Sequence, residues 1–479
     1  MQSISNFLWR FAERCGAQAV TFVVSIVLAR ILEPSDYGTV ALITVIISLM
    51  NVFIDSGLGN SLIQKLDADD TDYSTVFYTN LALCLCFYCI LFCTAPYIAR
   101  IYKDDSMIAL IRVLGISIIV SGVKNIQQAY VSKNLLFKRF FFSTLCGTIG
   151  ASIIGITFAF CGFGVWALVI QSLFNNIVDT VILWFTVKWR PKKIFSFKRL
   201  KGLFSYGWKL LASNILNSIY DNLRTLIIGK VYSTKDLAYY NRGNSLPYLF
   251  IDNINSSISS VLFPTMSKVQ DNVIKMKEMT RLSIKVSVYI LAPIMMGLCF
   301  VGDSVITLLL TKKWQMCVPY MRIFCIAYMF YPIHTSNLSA IKAMGRSDLF
   351  LKLEVFKKIV GLTVLIITIP ISVMAMTCSL LITNVISQII NSWPNRRLLN
   401  YGYLEQLKDI LPGILLAVAM GCCIYPIQWL GLPDIVTLCI QVPLGAVIYI
   451  GGSIIFKLDS FNYLWGIVKP SIMKVLHKT

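Results

Sequence analysis

Fourteen apolar stretches, each about long enough to cross a bilayer, fill nearly the whole chain and leave only short polar connections between them. A transmembrane helix takes roughly 20 mostly apolar residues. Lipid admits only helices or closed barrels, because hydrocarbon cannot satisfy a stray backbone N–H or C=O. The pattern predicts an all-α polytopic membrane protein. Its spans fall near 11–31, 38–58, 76–98, 106–126, 141–161, 165–187, 207–230, 243–263, 283–302, 318–341, 356–373, 374–393, 409–430 and 434–456. The 57% hydrophobic and 14% charged composition agrees, and no connection is long enough to fold alone. The first apolar stretch runs into Arg30-Ile-Leu-Glu-Pro34 rather than a small-x-small cleavage site, so it reads as a retained span and not a signal peptide.

A net charge of +20 would suit nucleic acid in a soluble protein. Here the basic residues lie between spans, so nucleic acid is not expected as a partner. With the N-terminus cytoplasmic, the outer connections hold only Arg30, Arg100, Lys103, Lys230, Lys235, Arg242, Lys312 and Lys313 of the 43 lysines and arginines. Nearly all the rest fall inside, the bias that sets orientation. Both termini then face the cytoplasm, which requires an even number of spans.

The basic stretch 188–209 after span six is the sharpest break in composition. Around it the chain echoes itself. Arg30-Ile-Leu-Glu-Pro-Ser-Asp36 closes span one and Lys230-Val-Tyr-Ser-Thr-Lys-Asp236 closes span seven. Asn134-Leu-Leu-Phe-Lys138 follows span four and Asp348-Leu-Phe-Leu-Lys352 follows span ten. These echoes imply a duplicated six-helix unit: an N-lobe over 1–200 ending in the 188–209 hinge, and a C-lobe over 201–400. Residues 401–479 add spans 13 and 14 and a cytoplasmic tail. Six is even, so the lobes form a parallel repeat, the arrangement in which carriers hold substrate between lobes. No Gly-x-x-x-x-Gly-Lys-[Ser/Thr] loop occurs, so energy is expected from an ion gradient, the membrane potential or the substrate's own gradient. Cys84, Cys86, Cys89 and Cys93 crowd one span without a second ligand pair and read as core filler; no metal and no cofactor is expected.

Charged and polar groups within spans cost several kcal/mol unless they meet water or a partner. The candidates are Arg30, Arg112, Arg224, Arg242 and Arg322 as cations, and Asp55, Asp179 and His334 as groups that could couple a proton or sodium ion. Asp221, Asp252, Gln18 and Asn255 are secondary. Bland readings stand beside these. Arg30 and Arg322 can snorkel from helix ends, Asp221 and Arg224 are three apart and can neutralise each other, and His334 after Tyr331-Pro332 can be a hydrogen-bonded structural histidine. Asp55 and Asp179 lack a basic neighbour on their own helix. If the arginines line one cavity it is cationic, and guanidinium suits the phosphate of an amphiphile with an anionic head.

The runs Trp9 to Gln18 and Leu28-Ala-Arg30-Ile-Leu-Glu-Pro34-Ser-Asp36-Tyr37-Gly38 resemble the polysaccharide transporter branch of the multidrug/oligosaccharidyl-lipid/polysaccharide flippase superfamily, the Wzx-type lipopolysaccharide, O-antigen and exopolysaccharide flippases. So do Asp55-Ser-Gly57-Leu-Gly59, Ile227-Ile-Gly229-Lys230, Tyr239-Tyr-Asn241-Arg242-Gly243, Val261-Leu-Phe-Pro264, Pro332-Ile-His334 and Gly345-Arg346-Ser-Asp348. The resemblance implies a fourteen-helix carrier in the bacterial inner membrane that moves undecaprenyl-pyrophosphate-linked sugar units to the outer leaflet, with a glycan polymerase and a chain-length regulator as possible partners. It also implies polar residues at Arg30, Asp55, Arg112, Asp179, Arg242 and His334, whereas Asp221, Arg224 and Asp252 depart from the pattern. A cation-coupled drug or metabolite antiporter of the same superfamily is the alternative, and it needs an acidic cavity. A membrane glycosyltransferase, ligase or polymerase would need larger outer loops for its catalytic residues.

Overall fold

Helix boundaries follow the turn chemistry. In the computed structural model, which describes residues 2–54, 58–59, 62, 67–134 and 136–476, the described residues form helices and connections and no strand. Within that range 2–15, 137, 205–207, 209–210, 347, 467–468 and 470–476 are described by backbone alone. The chain packs into two units, Met1–Ala238 and Tyr239–Thr479.

The first unit contains α1 (Gln2–Ile31), α2 (Pro34–Ile54), α3 (Asp70–Tyr102), α4 (Met107–Lys133), α5 (Phe137–Phe160), α6 (Val165–Thr186) and α7 (Phe197–Val231). Helix α3 opens on a capping box in which the Asp69 carboxylate accepts from the Asp72 backbone N–H and Asp72 accepts from that of Asp69. It closes on Lys103 in the left-handed region at φ 57°. The α1–α2 and α7–α8 breaks share one device, where α8 is Thr234–Ser267. Asp36 accepts from the Glu33 N–H, and 200 positions on Asp236 accepts from the Ser233 hydroxyl while its own N–H donates back to that oxygen. The sequence echo is thus a pair of equivalent helix breaks, and the two pack together. A Cβ on Gly38 would lie 1.8 Å from the Thr234 carbonyl oxygen, and one on Gly229 would lie 2.4 Å from Leu42. Only glycine lets α2 and α7 approach this closely.

The basic stretch after α6 is not loose. Trp189 is buried in a core with Leu58, Tyr73 and Val187, and its indole N–H donates to Asp70 at 3.1 Å. Lys192 pairs with Asp70 at 2.6 Å, and Arg199 with Asp69 and Asp72 at 3.1 Å each. The two carboxylates raise the Arg199 pKa above its ordinary value, the Asp72 hydrogen bond being the larger cause. The connection expected as a hinge is stapled to the start of α3.

The second unit takes the rest of α8, then α9 (Val273–Leu310), a 3-10 turn at Lys312–Cys317, α10 (Val318–Met329) and α11 (Tyr331–Ala343). It continues through α12 (Ser347–Thr368), α13 (Val373–Leu398), α14 (Tyr403–Ile424), α15 (Asp434–Ile455) and α16 (Asp459–Leu476). Span ten is broken into α10 and α11 at Phe330, because Pro332 has no N–H to donate. Asn384 of α13 donates to the Ala327 carbonyl just before the break. Helices α14 and α15 pack on α9: Tyr289 meets Ser453 at 2.7 Å, and Tyr449 donates to the Tyr289 carbonyl at 2.9 Å. The tail after span 14 forms α16, tied to α9 by Lys285–Asp459 at 2.9 Å.

Ten helical segments among the described residues are long and apolar enough to cross a membrane. The other four expected spans fall on α1, α7, α8 and α12. In α1 the apolar part is Gly16–Ile31, below that length. The other three are long but interrupted by charge: Asp221, Arg224 and Lys230 in α7, Arg242 and Asp252 in α8, Lys352, Glu354, Lys357 and Lys358 in α12.

Candidate functional site

Two charges within the helices of the first unit meet, on α4 and α6. Lys124, counted from sequence among the inner connections, lies inside α4 and its ammonium is turned onto Asp179 of α6 at 3.2 Å. The two side chains are 15% and 13% exposed. Asn176, one turn before Asp179, offers its amide oxygen to the same ammonium at 3.4 Å. The second carboxylate oxygen of Asp179 is buried without a hydrogen-bond partner. Asp179 has no basic neighbour on its own helix, and its partner comes from another. Beside the pair, Asn80 of α3 donates to Asn125 of α4, and Gly59 leaves room for the Asn125 amide, since a Cβ there would sit 2.8 Å from its oxygen.

None of the other described candidates of this unit bonds to that pair. Arg112 lies over the Phe92 ring at 4.1 Å and donates weakly to the Phe92 carbonyl at 3.4 Å. Arg30 and Gln18 are exposed at opposite ends of the apolar part of α1. Asp221 is exposed and Arg224 half-buried on α7. Asp55 lies outside the described residues.

In the second unit Arg322 of α10 is held by Asp303 of α9 at 2.5 Å and by the Cys299 carbonyl at 3.1 Å, each charged side chain about one-third exposed (36% and 35%). Sequence reading missed Asp303, which lies one helix away. Arg242 of α8 stands over the buried Trp314 ring at 5.4 Å. Asn255 accepts from Thr335 at 2.8 Å, and Asp252 is exposed with only a long 3.5 Å contact from Tyr248. His334 is buried. Its Nδ1 meets the Asn391 amide at 2.9 Å and its ring packs edge-on to Tyr331.

His334 borders a larger neutral network. The Asn337 amide donates to Gln406 at 2.8 Å and to Ser392 at 3.2 Å; Asn395 donates to Asn337 at 2.6 Å. Gln406 returns a bond to Asn337 at 3.1 Å and Ser392 donates to Gln406 at 3.0 Å. All four residues are fully buried and bind α11, α13 and α14 to one another. Nearby Arg281 pairs with Asp409 at 2.5 Å and Lys277 with Glu405 at 3.2 Å. Chemically, the first unit thus presents a largely buried charge pair, and the second a buried amide cluster flanked by ion pairs.

Residues 27–319 match the family model described as polysaccharide biosynthesis protein. The chain belongs to that family. The matched span carries Arg30, Arg112, Asp179, Arg224 and Arg242 of this family member, together with Lys124 and Asp303; Arg322 and His334 lie beyond it. Among its relatives is the teichuronic acid biosynthesis protein TuaB of Bacillus subtilis, 24% identical over 83% of this chain and 84% of that one. Another is the succinoglycan biosynthesis transport protein ExoT of Rhizobium meliloti, 22% identical over 71% and 69%. The lipopolysaccharide biosynthesis protein WzxC of Escherichia coli is 24% identical over 76% and 75%. In fold the family member is similar to the lipid II flippase MurJ in an inward closed conformation, with a TM-score of 0.76 at 16% identity over 95% of this chain and 99% of that one. It is also similar to an inward-facing multidrug resistance MATE transporter, at 0.63 and 14% identity over 80% and 94%.

Proposed function

We propose that the chain is a carrier that flips undecaprenyl-pyrophosphate-linked oligosaccharide units from the cytoplasmic to the outer leaflet of the bacterial inner membrane, for assembly of a surface polysaccharide. The observation that carries this reading is the family match over residues 27–319, on a fold shared with a lipid II flippase along nearly the whole chain. The named relatives belong to teichuronic acid, succinoglycan and lipopolysaccharide synthesis, whose building units are sugars. In this reading the chain is a transporter and not an enzyme, crosses the membrane fourteen times with both termini cytoplasmic, and works by alternating access of two six-helix lobes.

The charged helices fit the task. Helices α1, α7, α8 and α12 are long enough to span but carry charge that lipid would reject, so water or headgroup faces them. Arg30, Arg112 and Arg224 on the first unit, and Arg242 on the second, are each candidates to receive an anion, because guanidinium binds phosphate bidentately and stays charged. Arg322 is paired with Asp303.

The test is direct. The purified chain is reconstituted in vesicles with a fluorescent undecaprenyl-pyrophosphate oligosaccharide in one leaflet, and its arrival in the other leaflet is read by quenching. Transfer above protein-free vesicles is expected. No transfer, together with efflux of a cationic dye from the same vesicles, replaces the reading with the drug antiporter.

A further inference from the structure

The pair on α4 and α6 has an unusual composition for the interior of a membrane domain. Asp179 directs one carboxylate oxygen at Lys124 and leaves the other buried and unpartnered. Asn176 directs its amide oxygen at the same ammonium. Gly147 of α5, where a Cβ would come within 2.9 Å of the Asn175 amide oxygen and 3.4 Å of the Asp179 backbone nitrogen, lets α5 close over this face of α6. A carboxylate and a neutral amide oxygen, converging on one point from one helix face, are the hard oxygen donors that select alkali and alkaline-earth cations. The single positive charge at their focus is a side-chain nitrogen.

We propose that Lys124 is a tethered counter-ion seated where a monovalent metal cation would otherwise bind, so that the first unit works without sodium. An ammonium on a four-carbon stem supplies the charge that a buried carboxylate requires, and being covalently attached it needs no gradient to stay bound. Removing the ammonium leaves the Asp179 carboxylate and the Asn176 amide oxygen facing one point with an uncompensated negative charge. A small cation then restores neutrality. The ion clause stands on this geometry alone; the statement about turnover rests on the carrier reading.

The experiment uses the purified full chain in sodium chloride and in choline chloride at equal ionic strength. Thermal unfolding of the wild type is expected to be the same in both salts. Lys124→Ala is expected to unfold several degrees lower in choline and to recover in sodium, with saturation at millimolar concentration. Lys124→Ala combined with Asp179→Asn is expected to lose the sodium response. Lys124→Ser, which leaves a water-sized hydroxyl, is the second variant. Failure of both single variants to fold or to respond in sodium overturns the proposal and makes the pair a structural bridge between α4 and α6. A sodium-stabilised wild type that loses the effect in Asp179→Asn overturns it as well. In vesicles, transport by the wild type is expected to ignore sodium while Lys124→Ala requires it. A wild type that moves no lipid-linked sugar in either salt removes the carrier reading and leaves the ion result standing.

Discussion

In the first unit a lysine and a carboxylate meet between α4 and α6, whereas in the second α11, α13 and α14 are joined by two asparagines, a glutamine and a serine that carry no formal charge. Both arrangements place polar groups among apolar helices, yet they fail differently. A charge pair is stable only while complete, because either partner alone is an ion in a low dielectric. A neutral network loses one hydrogen bond at a time. The first arrangement holds two helices through one indivisible contact, and the second suits a joint that shares the load among several.

The largest effect that would sharpen this contrast is Asp179→Leu. It strands the Lys124 ammonium and is expected to cost about 3–5 kcal/mol, read as a fall in thermal unfolding temperature, most of which Lys124→Met on the same chain restores. Gln406→Leu is expected to cost about 1–3 kcal/mol by leaving Asn337 and Ser392 short of a partner. A loss as large as that of Asp179→Leu would break the distinction. Arg322→Ala is expected to cost about 1 kcal/mol or less, since both it and Asp303 are partly exposed; a much larger drop would mean that this pair behaves as the buried one does.

The smallest effect is at the tail. Lys285 holds the Asp459 carboxyl below its ordinary pKa, mainly through their hydrogen bond. A depressed carboxylate contributes stability above its unfolded pKa and loses it as pH falls through the folded value, which lies below 3.8. Protection of residues 459–466 against hydrogen exchange is therefore expected to be steady from neutral pH to about 5 and to weaken only below the carboxylate range. Asp459→Asn is expected to give the weakened level at all pH values, a difference under about 1 kcal/mol because Asp459 is largely exposed.

The helices were legible because apolar run length is a local property. The breaks at Ile31 and Val231 were equally legible, since each is followed five residues on by an Asp that hydrogen-bonds back to the residue three before it. The site was legible only in its residue types. Asp179, Arg322 and His334 stood out as polar groups in spans, but Lys124, Asp303 and Asn391 did not. Lys124 looked like one of many lysines near an inner helix end. Asp303 lay just past a span read as 283–302, and Asn391 was one of several amides scattered between 384 and 395. The stretch 188–209 read as a hinge from its basic residues alone, and the three acids at 69, 70 and 72 that receive two of them lie in a distant part of the sequence.

Run length alone required a helical membrane protein, since transfer of apolar side chains and backbone satisfaction act residue by residue. Which charges meet was settled by packing. Lys124 and Asp179 are 55 positions apart, Asn337 and Gln406 are 69 apart, and Arg281 and Asp409 are 128 apart. Coulombic and hydrogen-bond energies depend on separation in space, and only the crossing of helices brings those atoms within 3.2 Å of each other.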